Sequence, residues 1–345
     1  MNRQQSAPGS PPLLEVICVG ESMAMIAPEM PRPLRTAEAF TIRAAGAESN
    51  VAMYLRALGH AVAWAGRVGD DPLGERVLDE FARAGVDLSL VERDTEAPTG
   101  VYFKDPGPAG TRVYYYRSAS AATRMTVDVV DRIAALRPEV VHISGIVPAL
   151  SESCARMTRA IVAGRLFGDA LISFDVNYRP ALWPADLASE PLRDLAQAAD
   201  FVFVGMDEAS ELWGSHAAAE VRLLLDRPAR LLVKNGGTEA TEFGDGAPTA
   251  VPALKVQAVE PIGAGDAFAA GWLSGYLRGL TPVQRLRLGH VLAATAMRSM
   301  ADFDSVPSPA VLESVLGLAD AAWREWSPGT RSPSAEPGQG AVVAV

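Results

Sequence analysis

In PIGAGDAFAAG (261–271) one acid and two glycines stand directly before an apolar run. Gly263, Ala264 and Gly265 can turn so that successive backbone N–H groups point at one spot. A helix beginning near Asp266 would aim its unpaired donors and its dipole at the same place, which is an anion cradle. An aspartate at its lip can take a proton from a hydroxyl nucleophile while the amides steady a phosphoryl group in transfer. The same residues also read as a plain turn with Asp266 as helix N-cap. Residue types alone leave both readings open.

Two other phosphate-binding devices are excluded. A GxGxxG fingerprint begun at Gly263 would need glycine where Phe268 stands, and it would belong after the first strand. A P-loop needs a Gly-Lys pair, and none of the three lysines (Lys104, Lys234, Lys255) follows a glycine. The formal charge of −10 argues against a nucleic-acid binder, which needs a basic face. No uninterrupted run of eighteen apolar residues is present, so no membrane partner is expected. Cys18 and Cys154 sit in apolar surroundings without a CxxC pattern, which suggests reduced structural thiols and a cytoplasmic location. The four histidines lack metal-ligand spacing, and His142 in EVVHISG reads as a core residue.

The elements that must position the GAGD stretch alternate. LEVICVG (14–20), AVAWAGRVG, EVVHISG, LISFDVN, FVFVG and RLLVKNGG read as strands. Helical patterns lie between them, including AESNVAMYLRALG, PLGERVLDEFARAG and a stretch over roughly 151–167. Beyond residue 265 the pattern is wholly helical. Alternation of this kind predicts an α/β fold with a mostly parallel sheet covered on both faces. Two stretches, 21–44 and 97–117, break the alternation as short strands with Pro/Gly turns. TGVYFKD and TRVYYYR flank DPGPAG as a hairpin. Paired beside the core, these excursions would form a lid. Residues 1–13 read as a disordered leader and 326–345 as a flexible tail, leaving 14–325 as the folded domain.

GAGDAFAAG, AAGAESNVA (44–52) and the split β lid resemble the ribokinase-like (PfkB-type) carbohydrate kinases over roughly residues 14–325. VYYYRSASAA (113–122) and SFDVNYRPALW (173–183) bring the resemblance closest to 2-keto-3-deoxygluconate kinases, with fructokinases the nearest competitors. The resemblance implies a three-layer α/β/α core with a small β-sheet lid. It implies ATP and Mg²⁺, with K⁺ as a further candidate, a sugar-acid substrate phosphorylated at its 6-hydroxyl, and homo-oligomers paired through lid strands.

Carried over by position, Asp266 would be the base, with Gly263, Ala264 and Gly265 as the anion hole. Gly46, Ala47, Glu48, Ser49 and Asn50 would bind sugar hydroxyls. Tyr102, Tyr115, Tyr116 and Arg117 would close over the substrate, and Asp302 would be a substrate-side acid. Arg179 would reach the sugar acid or the phosphates. Asn177, Tyr178, Gly205, Glu208 and the loop Lys234, Asn235, Gly236, Gly237, Thr238 would lie beside the nucleotide, with Glu208 touching the metal only through water. A carboxylate substrate suits arginine, whose planar fork binds it bidentately.

Four positions depart from the family pattern. Glu260 stands where an aspartate is usual, and Gly205 replaces the amide of an N-x-x-E motif whose acid is Glu208. His290 and Ala301 also differ from the usual residues at the adenine and substrate ends. Two alternatives follow: a fructokinase or other sugar kinase, and a sugar-binding homologue without catalysis.

Overall fold

A computed structural model describes residues 14–107, 110–258, 262–299, 301–303 and 305–328. Its strands, in chain order, begin with β1 (Val16–Val19), β2 (Met23–Pro28), β3 (Phe40–Ala45), β4 (Val62–Ala65), β5 (Arg67–Gly69), β6 (Glu92–Asp94) and β7 (Val101–Gly107). They continue with β8 (Gly110–Tyr116), β9 (Val140–Ser144), β10 (Leu171–Asp175), β11 (Phe201–Gly205), β12 (Arg230–Asn235), β13 (Glu239–Phe243) and β14 (Thr249–Pro252).

Eight of these form the main sheet in the order β14-β13-β12-β11-β10-β9-β1-β4. The pairs from β4 to β12 are parallel, and β13 and β14 extend the edge antiparallel. The parallel strands are apolar along their whole length because both faces are covered. One face packs a cluster containing Trp64, Phe203, Trp272 and Leu288, and the other a cluster containing Ile143, Phe174, Met157 and Leu192. His142 is buried within this core, hydrogen-bonded to Ser173, and burial lowers its pKa to about 4. Cys18 and Cys154 are free and buried.

A second sheet, β3-β2-β7-β8, stands apart from the first and is built from the two expected β excursions; it is called the lid below. Its hairpin pairs β7 with β8 from Val101↔Tyr116 to Gly107↔Gly110, while Pro108 and Ala109 lie outside the described residues. Sequence reading differs from the structure at four element boundaries. AVAWAGRVG is two strands, since the chain leaves the main sheet at Gly66 and β5 pairs with β6 instead. The edge strands β13 and β14 were not anticipated. The helix expected over 151–167 ends at Ala163. Trp326, assigned to the tail, is 6% exposed within the core cluster, so packing runs past residue 325. The leader (1–13) and residues 329–345 lie outside the described residues.

Candidate active site

The parallel strands deliver their C-terminal ends to one edge, where α/β folds bind ligands. β10 ends at Asp175, and Asn177, with φ +39°, turns the chain out of the sheet in a conformation few non-glycine residues adopt. β11 ends at Gly205 and β12 runs out at Lys234 and Asn235. A cavity of about 830 Å³ opens here, walled at one end by Leu254, Val256, Phe268, His290, Ala293 and Met297. His290 donates from Nε2 to the Val251 carbonyl at 3.0 Å, and burial keeps its ring neutral, with a pKa of about 4. At the other end stand Asp175, Asn177, Arg179, Lys234, Glu208 and Asp266.

The helix of the GAGD stretch runs Ala264–Leu277. It starts two residues before the expected Asp266, because Gly263 (φ +84°) is its N-cap. Its first backbone bond joins the Ala267 N–H to the Gly263 carbonyl, leaving the earlier amides without an intrahelical partner. Asp266 is therefore the third helical residue and caps nothing. Its Oδ2 accepts from Asn50 Nδ2 at 2.8 Å, and Asn177 Nδ2 approaches Oδ1 at 3.5 Å. Burial pushes its pKa up to about 7; the Asn50 hydrogen bond and Arg179 oppose the rise, and Asp175 and Asp302 add to it. The turn-and-cap reading is excluded by this placement, and the carboxylate is poised near neutrality.

Lys234 Nζ lies 3.2 Å from Asp175 Oδ2. Burial disfavours the ammonium, but Asp175, Glu208 and Asp266 outweigh that and raise its pKa. Glu208 accepts from the Gly205 N–H at 2.6 Å and from the Tyr178 N–H at 3.0 Å. It thus ties the DVNYR loop to the start of the helix Met206–Trp213. Gly236 and Gly237 line the cavity, while the Asn235 carbonyl and the Thr238 N–H close the turn behind them.

On the lid, Tyr102 and Tyr115 face each other across β7 and β8, ring centroids 5.5 Å apart. Arg117 and Arg179 act together on Tyr115, opposing the rise in its pKa that burial, Asp302 and Glu21 produce. The two arginines differ. Arg179 is exposed to the cavity and hydrogen-bonds only the Tyr178 carbonyl among the described residues. Arg117 is buried and ion-paired to Glu21, which also accepts from Ser120 Oγ at 2.8 Å.

Several expectations need correction. Tyr116 lies on the opposite lid face from Tyr115, 68% exposed and edge-on to Phe103, because side chains alternate along a strand. Glu48 does not line the cavity: it accepts from the Ser144 N–H at 3.0 Å and packs under Gly20, with burial raising its pKa to about 7. Within GAESN only Asn50 reaches Asp266; Gly46 caps the helix Ala47–Ala57, where a Cβ would strike the Glu21 carbonyl. Ala47 is the first residue of that helix, and Ser49 hydrogen-bonds Ser22 and the Gly46 carbonyl. Tyr178 is buried with its hydroxyl on the Trp183 carbonyl. Glu260 lies outside the described residues.

A model of pfkB family carbohydrate kinases matches residues 13–309. The chain belongs to that family. It is 34% identical over 309 residues to a 2-dehydro-3-deoxygluconokinase of Bacillus subtilis (strain 168), covering 88% of this chain and 95% of that one. A 2-dehydro-3-deoxygluconokinase of Thermoproteus tenax is also 34% identical, over 313 residues, covering 88% and 94%. Among solved structures, a PfkB protein from Polaromonas sp. JS666 superposes with a TM-score of 0.78 at 34% identity, over 87% of this chain and 99% of that one.

In this sugar kinase, three residues of the site escaped sequence reading. Asp175 carried a signal, an acid ending an apolar strand at the ligand-binding edge. Lys104 follows Tyr102 by two residues, so alternation places it on the same lid face. Glu21 had only its position after β1, and its partner Arg117 is ninety-six residues away in sequence, so the pairing had no local signature.

Proposed function

We propose that this kinase transfers the γ-phosphoryl group of ATP to the 6-hydroxyl of 2-keto-3-deoxygluconate, giving 2-keto-3-deoxy-6-phosphogluconate and ADP. One observation carries the reading: Asp266, buried and held by Asn50, lines the cavity near an Arg179 that makes no close ion pair among the described residues. The arginine fork fits the sugar-acid carboxylate. Tyr102 and Tyr115 cover the sugar. The 6-hydroxyl gives its proton to Asp266, its oxygen bonds to the γ-phosphorus, and the bond to the β,γ-bridging oxygen breaks toward ADP. Negative charge building on the phosphoryl oxygens meets the free amides of the GAGD turn. The apolar end of the cavity takes the base of the nucleotide, with Lys234, Gly236 and Gly237 along its phosphates.

Mg²⁺ fits this donor set through water and phosphate. No cluster of three or more ligating side chains exists among the described residues, and Mg²⁺ commonly keeps several waters beside one or two carboxylates. Glu208, each oxygen holding one backbone N–H, retains lone pairs for a metal-bound water, with Asp175 beside it. Bound there, the ion would neutralise phosphate charge. K⁺ is included in the reading on family resemblance alone, and rates with and without it test that part.

The far face of the lid exposes Phe40, Tyr114 and Tyr116, an apolar surface suited to a second copy of the chain, and a homo-oligomer through the lid is proposed. No described helix is long and apolar enough to cross a membrane. The free buried thiols suit a reducing compartment, and the cytoplasm is the proposed location.

ATP consumption with 2-keto-3-deoxygluconate, beside fructose, ribose and a nucleoside, tests the substrate. A strong preference for the sugar acid is expected. Preference for a neutral sugar would overturn the role given to Arg179, and no turnover with any acceptor would favour a sugar-binding homologue.

A further inference from the structure

Lys104 is one of the largest side chains in the molecule with no solvent exposure. An ammonium removed from water is costly unless it is paired, so its partner matters. Lys104 Nζ lies 2.5 Å from Asp302 Oδ1, while Tyr102 donates its hydroxyl to Asp302 Oδ2 at 2.6 Å. Tyr102 and Lys104 are two residues apart on the inward face of β7. Both oxygens of Asp302 are therefore held from the lid, which changes its expected role as an acid free to meet the substrate.

The main chain of Asp302 lies against the anion-hole turn. A Cβ placed on Gly263 would come within 2.9 Å of the Asp302 carbonyl oxygen and 3.2 Å of its Cα. One residue thus joins the lid strand to the N-cap of the GAGD helix. Its carboxylate also acts through space on Asp266, the proposed base. The charged and titratable groups acting on or acted on by Asp266 are Asp175 and Lys234 from the main sheet, Glu48 from the first helix, Arg179 from the loop after β10, and Asp302 with Tyr102 at the lid.

We propose that Lys104 is a positioning residue for phosphoryl transfer: by clasping Asp302 it fixes the backbone behind Gly263 and screens Asp266 from a second carboxylate. The clasp rests on Asp266 being the base but not on which sugar is phosphorylated. An anionic substrate gains doubly, since an unscreened Asp302 would repel it at the same place where Arg179 attracts it.

Three variants test this: Lys104→Met, Asp302→Asn and the double variant. Lys104→Met takes the ammonium from Asp302 and leaves it the Tyr102 hydroxyl, so kcat is expected to fall about 10- to 100-fold while KM for ATP moves less than about threefold. Its acid limb should shift to higher pH. The double variant removes both members of the pair, so it should regain melting temperature and much of kcat, with the acid limb shifted below that of the wild type. Asp302→Asn alone removes the carboxylate from Lys104 Nζ and should melt below the double variant. If Lys104→Met does not fold, the double variant carries the test. The titration of Asp266 is followed by carbon-13 NMR of the free enzyme, which needs no substrate and separates failure of the clasp from failure of the substrate reading. Opposite shifts of the Asp266 titration in the single and double variants are the expected result. An Asp266 titration unchanged from wild type in every variant that folds would overturn the proposal, whatever happened to stability.

Discussion

The floor of the site and its lid hold their chemistry in different ways. The floor lies at the end of an eight-stranded sheet packed between two large apolar clusters, and its functional groups project from strand ends and from a helix N-terminus. The lid's own core is four buried residues, Met23, Met25, Ala45 and Tyr102. Ala44 of β3 joins the main core, and polar contacts tie the lid to the floor as well: the Lys104–Asp302 pair and the Tyr102 hydroxyl, with Arg117–Glu21 at the base of β8. Apolar packing locates a carboxylate such as Asp266 and tolerates its desolvation. Ion pairs locate a lid more narrowly, and losing one partner leaves a buried charge.

The largest effect that can break this contrast is on the floor. Asp266→Asn should lower kcat by about 10²- to 10⁴-fold and leave sugar KM within a few-fold. Near-full turnover would remove Asp266 as the base. The same variant should be more stable than the wild type at pH 8. Because burial raises the Asp266 pKa from 3.8 to about 7, the native carboxyl holds its proton across a range where the unfolded chain has lost it. Its favourable contribution is full below pH 4 and lost as pH rises through 7, by at most about 4 kcal/mol. The advantage of the variant should therefore shrink to nothing toward pH 4, as read by urea unfolding. In the wild type, kcat/KM should fall about tenfold per pH unit below 7, because the base must be unprotonated.

The two arginines come next. Arg117→Ala strands Glu21 in the interior, so it should cost about 3–5 kcal/mol of stability. Arg179→Ala should leave the melting curve nearly unchanged and raise KM for a sugar acid about 10- to 100-fold, with little change for a neutral sugar. Equal behaviour of the two variants would erase the distinction between a lid pair and a substrate ligand.

A smaller effect is expected at the hinge between floor and lid. Gly263→Ala combines φ +84° with a Cβ 2.9 Å from the Asp302 carbonyl, so it should lose about 1–2 kcal/mol and about tenfold in kcat. Smallest is Tyr116→Ala on the outer lid face. It should leave kcat and sugar KM unchanged and weaken only self-association, measured by sedimentation; a change in sugar KM would put Tyr116 back among the substrate contacts.

Much of this was legible because the signals are local. Glycines and an acid before an apolar helix, alternating strands and helices, and two aromatic β arms each sit within a dozen residues, and short-range sterics and periodicity act at that range. The errors came from long-range events. Tyr116 stands beside Tyr115 in the chain, but which member of an alternating pair faces the core depends on the strand's partner. Glu48 looked like a sugar ligand within GAESN, yet it docks under β9, whose residues lie almost a hundred positions away.

From the sequence alone came the α/β class, the two β excursions beside the core and GAGD as a candidate anion cradle with Asp266 at its lip, because backbone freedom, helix-end dipoles and carboxylate chemistry belong to residue types at fixed spacing. Only the tertiary structure decided that Asp266 caps nothing and has a pKa of about 7, that Arg117 is ion-paired while Arg179 faces the cavity, and that Lys104 holds Asp302. Those are matters of desolvation and of which charges meet, and they come into being only when distant segments are packed together away from water.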